Sequence, residues 1–217
     1  LLPHGCVPEA FRPMVLRDEG CSEADWVRLS LALWQATGDV TYLNAAEHAW
    51  FNEFSMNQFS TGDFGHRTIS PEGMGGVVMR APKGGATNQS FSAVSIAHGC
   101  ARAWWCCTLH GLRAFPDVAA AVFRSEGDAL YYDLPLNGQA VASGLVVRAC
   151  STLQRDASCR LEIVESDGRE HLIGIRVPPW AESVDIRVSP PGGAEGPGPW
   201  RTIHRVWHAG DVITVRY

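Results

Sequence analysis

Apolar residues change their period once along this chain, from helical spacing in the first half to alternation in the second. Trp26, Leu29, Leu33 and Trp34 recur at helical intervals, and Leu43, Ala46, Trp50 and Phe54 do so again. Two amphipathic helices are expected, both with aromatic, core-facing stripes. Ser22, with Asp25 three positions on, reads as the N-cap of the first, and Gly38-Asp39 as its stop. Thr41 reads as the cap of the second, and so short a connection makes the two antiparallel neighbours. A further short helix is expected over residues 107–115, ended by Pro116.

Residues 58–100 fit neither period. Gly62, Gly65, Gly73, Gly75, Gly76, Gly84 and Gly85 punctuate a stretch too long for an ordinary connection, and it is read as one wall of a site. From residue 129 the alternation predicts strands at 129–134, 145–150, 159–165, 172–177, 184–188, 202–207 and 212–217. Asp167-Gly168, Pro178-Pro179, Pro190-Pro191-Gly192-Gly193 and Ala209-Gly210-Asp211 supply the turns. The expectation is a mixed α-then-β chain, helical over residues 1–125 and an antiparallel β-sandwich over 126–217, without internal repeats.

Composition narrows the classes. With 18 basic and 23 acidic residues in 217, a net charge of −5 argues against nucleic acid as a partner. No apolar run approaches the length of a transmembrane helix, so no membrane partner is expected. Seven cysteines, an odd number without regular spacing, argue against a disulfide framework. Unpaired thiols favour a cytoplasmic location. The opening Leu1-Leu2-Pro3-His4-Gly5 has neither an initiator Met nor a basic leader, and reads as part of a longer product.

The candidate chemistry centres on the vicinal pair Cys106-Cys107, in the run Trp104-Trp105-Cys106-Cys107-Thr108-Leu109-His110. Adjacent cysteines rarely bridge each other, whereas two thiolates from one segment make half of a tetrahedral zinc shell. Glu19-Gly20-Cys21 offers the other half, completing a Glu-Cys-Cys-Cys set. Such a site is either purely structural, or it holds a thiolate ionised as a nucleophile. A nucleophile of that kind needs a general acid, for which Glu9 is the candidate beside the alternative of a solvated loop carboxylate. His110, four residues after Cys106, offers a metal-free Cys-His dyad instead. Trp104 and Trp105 read as core or as a face for stacking on a sugar ring; Asp63 and His66 are weaker candidates in a loop.

Taken together, Glu9-Ala10-Phe11, Glu19-Gly20-Cys21, a helix ending in Thr37-Gly38-Asp39 and the pair Cys106-Cys107 resemble the β-L-arabinofuranosidase family of glycoside hydrolases. Glu47-His48-Ala49-Trp50-Phe51-Asn52, Ile175-Arg176-Val177-Pro178-Pro179-Trp180-Ala181 and Arg205-Val206-Trp207-His208-Ala209-Gly210-Asp211 extend the likeness through nearly the whole chain. The resemblance implies the last helices of an (α/α) barrel followed by a β-sandwich. It implies a Zn2+ ion on Glu19, Cys21, Cys106 and Cys107, with Cys106 as nucleophile and Glu9 as acid/base. Glu47 would contact the sugar, and His66 would stand where the family has a tyrosine, with Trp105 beside them. The implied partner is a carbohydrate substrate, and a homodimer is allowed. The rival expectations are a zinc-stabilised carbohydrate-binding or scaffold module without catalysis, and a metal-free thiol enzyme.

Overall fold

Gly38, in the left-handed region at φ +71°, ends the first helix, and Asp39, the next residue, caps the second. The computed structural model describes residues 20–58, 62–65, 105–142, 144–191, 196 and 198–217. The chain divides into two compact units, Leu1–Val118 and Ala119–Tyr217.

In the first unit, α1 spans Gly20–Thr37 and α2 spans Val40–Ala49. A π turn, Trp50–Phe54, and a 3-10 turn, Ser55–Asn57, continue from α2. Ser22 lies inside α1 rather than capping it. At Gly20, two residues before Ser22, the backbone is already helical, and its N–H donates to the Gly65 carbonyl at 2.9 Å. The buried stripe of α1 is Gly20, Glu23, Ala24, Val27, Ser30, Leu31 and Trp34. Of the expected Trp26, Leu29, Leu33 and Trp34 face, Trp34 is buried, whereas Leu29 is 52% exposed. Small side chains at positions 20 and 24 let neighbouring segments approach closely, and the larger residues are left at the rim.

For α2 the cap is Asp39, not Thr41. The Asp39 carboxylate accepts from the Thr41 hydroxyl at 2.5 Å and the Thr41 N–H at 2.9 Å, and these bonds hold its pKa below the usual carboxylate value. α3, Trp105–Ala120, runs through Pro116 instead of ending there. Proline deprives the Leu112 carbonyl of a helical donor. Both residues are exposed, so water can take its place and the cost is tolerated.

Among the described residues, the second unit holds nine strands and one short helix. The first sheet contains β1 (Phe123–Glu126), β2 (Ala129–Tyr132), β6 (Glu170–Arg176) and β8 (Trp200–Val206), in the order β1-β2-β6-β8. The second contains β3 (Gly138–Ala142), β4 (Leu145–Ser151), β5 (Ser158–Ser166), β7 (Asp185–Ser189) and β9 (Val212–Arg216), in the order β3-β4-β5-β9-β7. The short helix α4, Leu153–Asp156, links β4 to β5. All pairs are antiparallel except β2 with β6, which run parallel because the chain visits the other sheet between them. Strands β1 and β3 were not anticipated; both are edge strands with at most half-buried side chains, so their alternation is weak.

One core serves both sheets. Leu130, Tyr132, Ile173, Ile175 and Ile203 from the first pack with Val147, Leu161, Ile163, Ile213 and Val215 from the second. Two segments singled out in the sequence fasten this unit. The fully buried Asp133 accepts from Arg124 Nε at 2.9 Å and Trp200 Nε1 at 2.6 Å, and its carbonyl accepts from the buried Arg176 at 3.0 Å. Burial raises the Asp133 pKa, while Arg124 and Trp200 pull it back. At the other segment, the Gly210 N–H donates to the Ile163 carbonyl at 2.8 Å and the Ile163 N–H to the Asp211 carbonyl at 2.9 Å. The Asp211 carboxylate accepts from the His208 N–H at 3.1 Å, closing the turn in which Gly210 takes φ +92°.

A pH dependence follows from the turn at Asp167. Its carboxylate is paired with His171 Nε2 at 2.8 Å and accepts from the Arg169 N–H at 3.0 Å and Arg169 Nε at 2.6 Å. The His171 contact, then the Arg169 bonds, depress its pKa below the usual carboxylate range. A depressed carboxyl contributes stability that is complete above the unfolded value of about 3.9 and is lost as pH falls through the lower folded value. Urea unfolding of wild type against Asp167→Asn should therefore show a wild-type advantage at neutral pH that shrinks as the pH falls below about 4. An advantage independent of pH down to the acid limit would contradict this.

Candidate metal and catalytic site

The N-terminal turns of α1 and α3 bring three of the predicted ligands together. Cys21 Sγ lies 3.4 Å from Cys107 Sγ, and Cys106 Sγ lies 4.0 Å from Cys107 Sγ. All three sulfurs fall within 4.8 Å of one another. Zinc–thiolate bonds of about 2.3 Å in a tetrahedron put neighbouring sulfurs about 3.8 Å apart. The observed triangle is therefore close to one face of such a shell, and the soft donors fit zinc.

The electrostatics agree with that fit. Burial, and then the neighbouring sulfurs, raise the Cys21 pKa far above that of an ordinary thiol. Burial raises that of Cys107 as well, with the Cys106 charge adding to it and the Cys21 contact opposing. Cys21 and Cys107 so placed resist ionisation unless a cation compensates their charge. Exposure differs among them. Cys107 is fully buried, whereas Cys21 and Cys106 are half-buried.

Of the other predicted residues, Glu47 lies on α2 and is 2% exposed. Glu9, Glu19 and His66 lie outside the described residues, as does the side chain of Trp105, whose backbone opens α3. His110 has its Nδ1 3.5 Å from Asp25 Oδ2, so its charged partner lies on α1.

Sequence reasoning passed over several residues around the cysteines. Glu23 is fully buried two positions after Cys21 and accepts from Asn57 Nδ2 at 2.9 Å, joining α1 to the turn after α2. A carboxylate on the narrow, small-residue face of a helix was the available signal. Thr108 binds the backbone of Phe64, and the Phe64 ring stacks on Phe54 at 4.7 Å and meets Phe115 edge-on at 6.1 Å. Residues 62–65 belong to the Gly-rich stretch expected to wall a site, but nothing in the local pattern singled out Phe64.

Residues 130–217 match the β-L-arabinofuranosidase GH127 middle domain. No curated protein matches the chain. Among solved structures, the chain resembles a GH127 β-L-arabinofuranosidase from Geobacillus stearothermophilus T6 with a TM-score of 0.64 at 18% identity, over 92% of this chain and 31% of that one. It also resembles a GH127 β-arabinofuranosidase, with a TM-score of 0.67 at 16% identity, over 98% of this chain and 36% of the other. A third neighbour, described as a glycoside hydrolase, gives 0.64 at 16% identity over 92% and 32%. At these identities the likeness is one of fold. The chain spans about a third of the length of each of these structures. Among the described residues, no helix is long and apolar enough to cross a membrane.

Proposed function

Because residues 130–217 match the GH127 middle domain, we propose that the chain belongs to the β-L-arabinofuranosidase family and is part of a retaining glycoside hydrolase with a cysteine nucleophile. The observation that carries this reading is the convergence of Cys21 and Cys107, 86 positions apart, with Cys106 on one metal-sized triangle. Its substrate would be a glycan bearing β-L-arabinofuranose or a related sugar. The helices Gly20–Thr37, Val40–Ala49 and Trp105–Ala120 would be the last of an (α/α) barrel, and the two sheets a β-sandwich following it.

Glu19 would complete the shell begun by Cys21, Cys106 and Cys107. Zinc bound there would keep the sulfurs ionised at neutral pH and make the Cys106 sulfur a better leaving group. Cys106 suits the nucleophile better than Cys107, since a fully buried sulfur cannot reach a substrate and a half-buried one can. In the first step the Cys106 thiolate attacks the anomeric carbon while the bond to the leaving oxygen breaks and Glu9 donates its proton to that oxygen. A glycosyl-cysteine results. In the second step Glu9 takes a proton from water, the water oxygen bonds to the same carbon, and the C–S bond breaks to return the thiolate. Two inversions give net retention, as in glycosidases with a carboxylate nucleophile. Glu47, His66 and Trp105 are proposed to line the sugar site, Glu47 from a buried position on α2. Among the described residues, Cys21, Cys106, Cys107, Cys150 and Cys159 form no disulfide, which suits a reducing compartment and favours a cytoplasmic location.

Metal content tests the reading. Elemental mass spectrometry of the reduced protein should find about one zinc per chain in wild type and a loss of it in Cys21→Ser. Metal-free wild type would remove the basis for a zinc-held nucleophile and move a metal-free thiol site ahead.

A further inference from the structure

We infer that residues 63–65 are a clasp that positions the metal-binding cysteines, with Thr108 as the positioning residue that ties the clasp to Cys107. The inference rests on the zinc reading and concerns how the sulfurs are held. Each cysteine-bearing helix is bonded to this one short segment through a residue adjacent to a cysteine. On α1, the Gly20 N–H next to Cys21 donates to the Gly65 carbonyl at 2.9 Å. On α3, the Thr108 hydroxyl next to Cys107 accepts from the Phe64 N–H at 3.1 Å. The same hydroxyl is within 3.3 Å of the Phe64 carbonyl and 3.5 Å of Asp63 Oδ1, either of which can take its proton.

The clasp is held from behind. The fully buried Phe64 ring stacks on Phe54, and it lies so close to Gly111 that a Cβ there would fall 2.6 Å from the ring. At Gly20 an added Cβ would come 3.0 Å from the Gly65 oxygen and 3.4 Å from Cys107 Cβ. These contacts leave residues 63–65 no room to slide, so they set the separation of the two helix ends. That separation is what the sulfurs need: three thiolates repel one another, and the backbone must keep them together for the ion. Partners that orient metal ligands typically contribute 10–100-fold to metal affinity.

Cobalt(II) titration of the full 217-residue chain tests this, because thiolate-to-cobalt charge-transfer and d–d bands report affinity and geometry independently of activity. Thr108→Val, close to threonine in shape but without the hydroxyl, should bind cobalt about 10–100-fold more weakly and with altered d–d bands. Thr108→Ser, which keeps the hydroxyl, should restore both. Should Thr108→Val fail to fold by circular dichroism, Thr108→Ala is read by the same criteria. Wild-type affinity and bands in the hydroxyl-less variant would overturn the inference while leaving the zinc reading intact. So would a serine variant as weak as valine, since packing of the methyl group would then be the role. Absence of a thiolate band in wild type would overturn the zinc reading itself, and the clasp with it.

Discussion

Cys106→Ala is expected to lower kcat/KM on a β-L-arabinofuranoside by on the order of 10⁴-fold or more, the scale set by removing a covalent nucleophile. The expectation comes from the difference between two adjacent sulfurs. Cys107 is fully buried against the Gly20 backbone, and Cys106 is half-buried one residue earlier on the same helical turn. On the proposed mechanism, only the second leaves a substrate carbon a path. Both substitutions should weaken metal binding, so activity alone does not separate nucleophile from ligand. Trapping does: with a slowly hydrolysed substrate, mass spectrometry of wild-type peptides should find the pentosyl group on Cys106. A label on Cys107, or a Cys106→Ala rate within about tenfold of wild type, would reassign the nucleophile.

In the second unit, Trp207→Ala is expected to cost about 3–5 kcal/mol, the range for emptying a buried aromatic site. Trp207 is fully buried in the core shared by the two sheets. Its Nε1–H donates to the His171 carbonyl at 3.0 Å, and its own carbonyl accepts from the Ser166 hydroxyl at 2.7 Å. It also carries the Arg205 guanidinium 5.3 Å from the ring centroid. The alanine variant loses apolar burial and leaves a buried carbonyl without its donor. Trp207→Phe keeps most of the packing and loses the N–H, so about 1–3 kcal/mol should remain of the effect. Urea denaturation followed by circular dichroism measures both. A loss below about 1 kcal/mol for alanine would mean the core closes over the gap, and Trp207 is then no anchor.

These two residues mark how far local pattern reached. Trp207 stood in a segment singled out by its Arg-x-Trp-x-x-Gly-Asp order, and the structure gives each member a task. Arg205 lies over the indole, Gly210 supplies the positive φ, and Asp211 closes the turn. The seven anticipated strands are visible in sequence because their inward residues alternate with exposed ones, as in Ser158–Ser166. Phe123–Glu126 and Gly138–Ala142 escaped because their inward positions are only half-buried and, in Gly138–Ala142, are taken by glycine and alanine while Val141 points outward, so no hydrophobic alternation shows. The rotation of the buried stripe on Gly20–Thr37 was equally hidden, since close approach at Gly20 and Ala24 depends on what packs there.

By itself, then, the sequence determined the helical and β halves, the core alternation of the second half, and the thiol chemistry available at Cys21, Cys106 and Cys107. Side-chain period and donor chemistry are local properties, carried by each residue wherever the chain goes. Only the tertiary structure decided that sulfurs 86 positions apart form one triangle, that Cys107 is sealed while Cys106 is half-open, and that residues 63–65 hold the two helix ends in place. Distances between remote segments arise from the packing of whole elements. Phe64 against Gly111 and Gly20 against Gly65 are contacts that no short window of sequence contains.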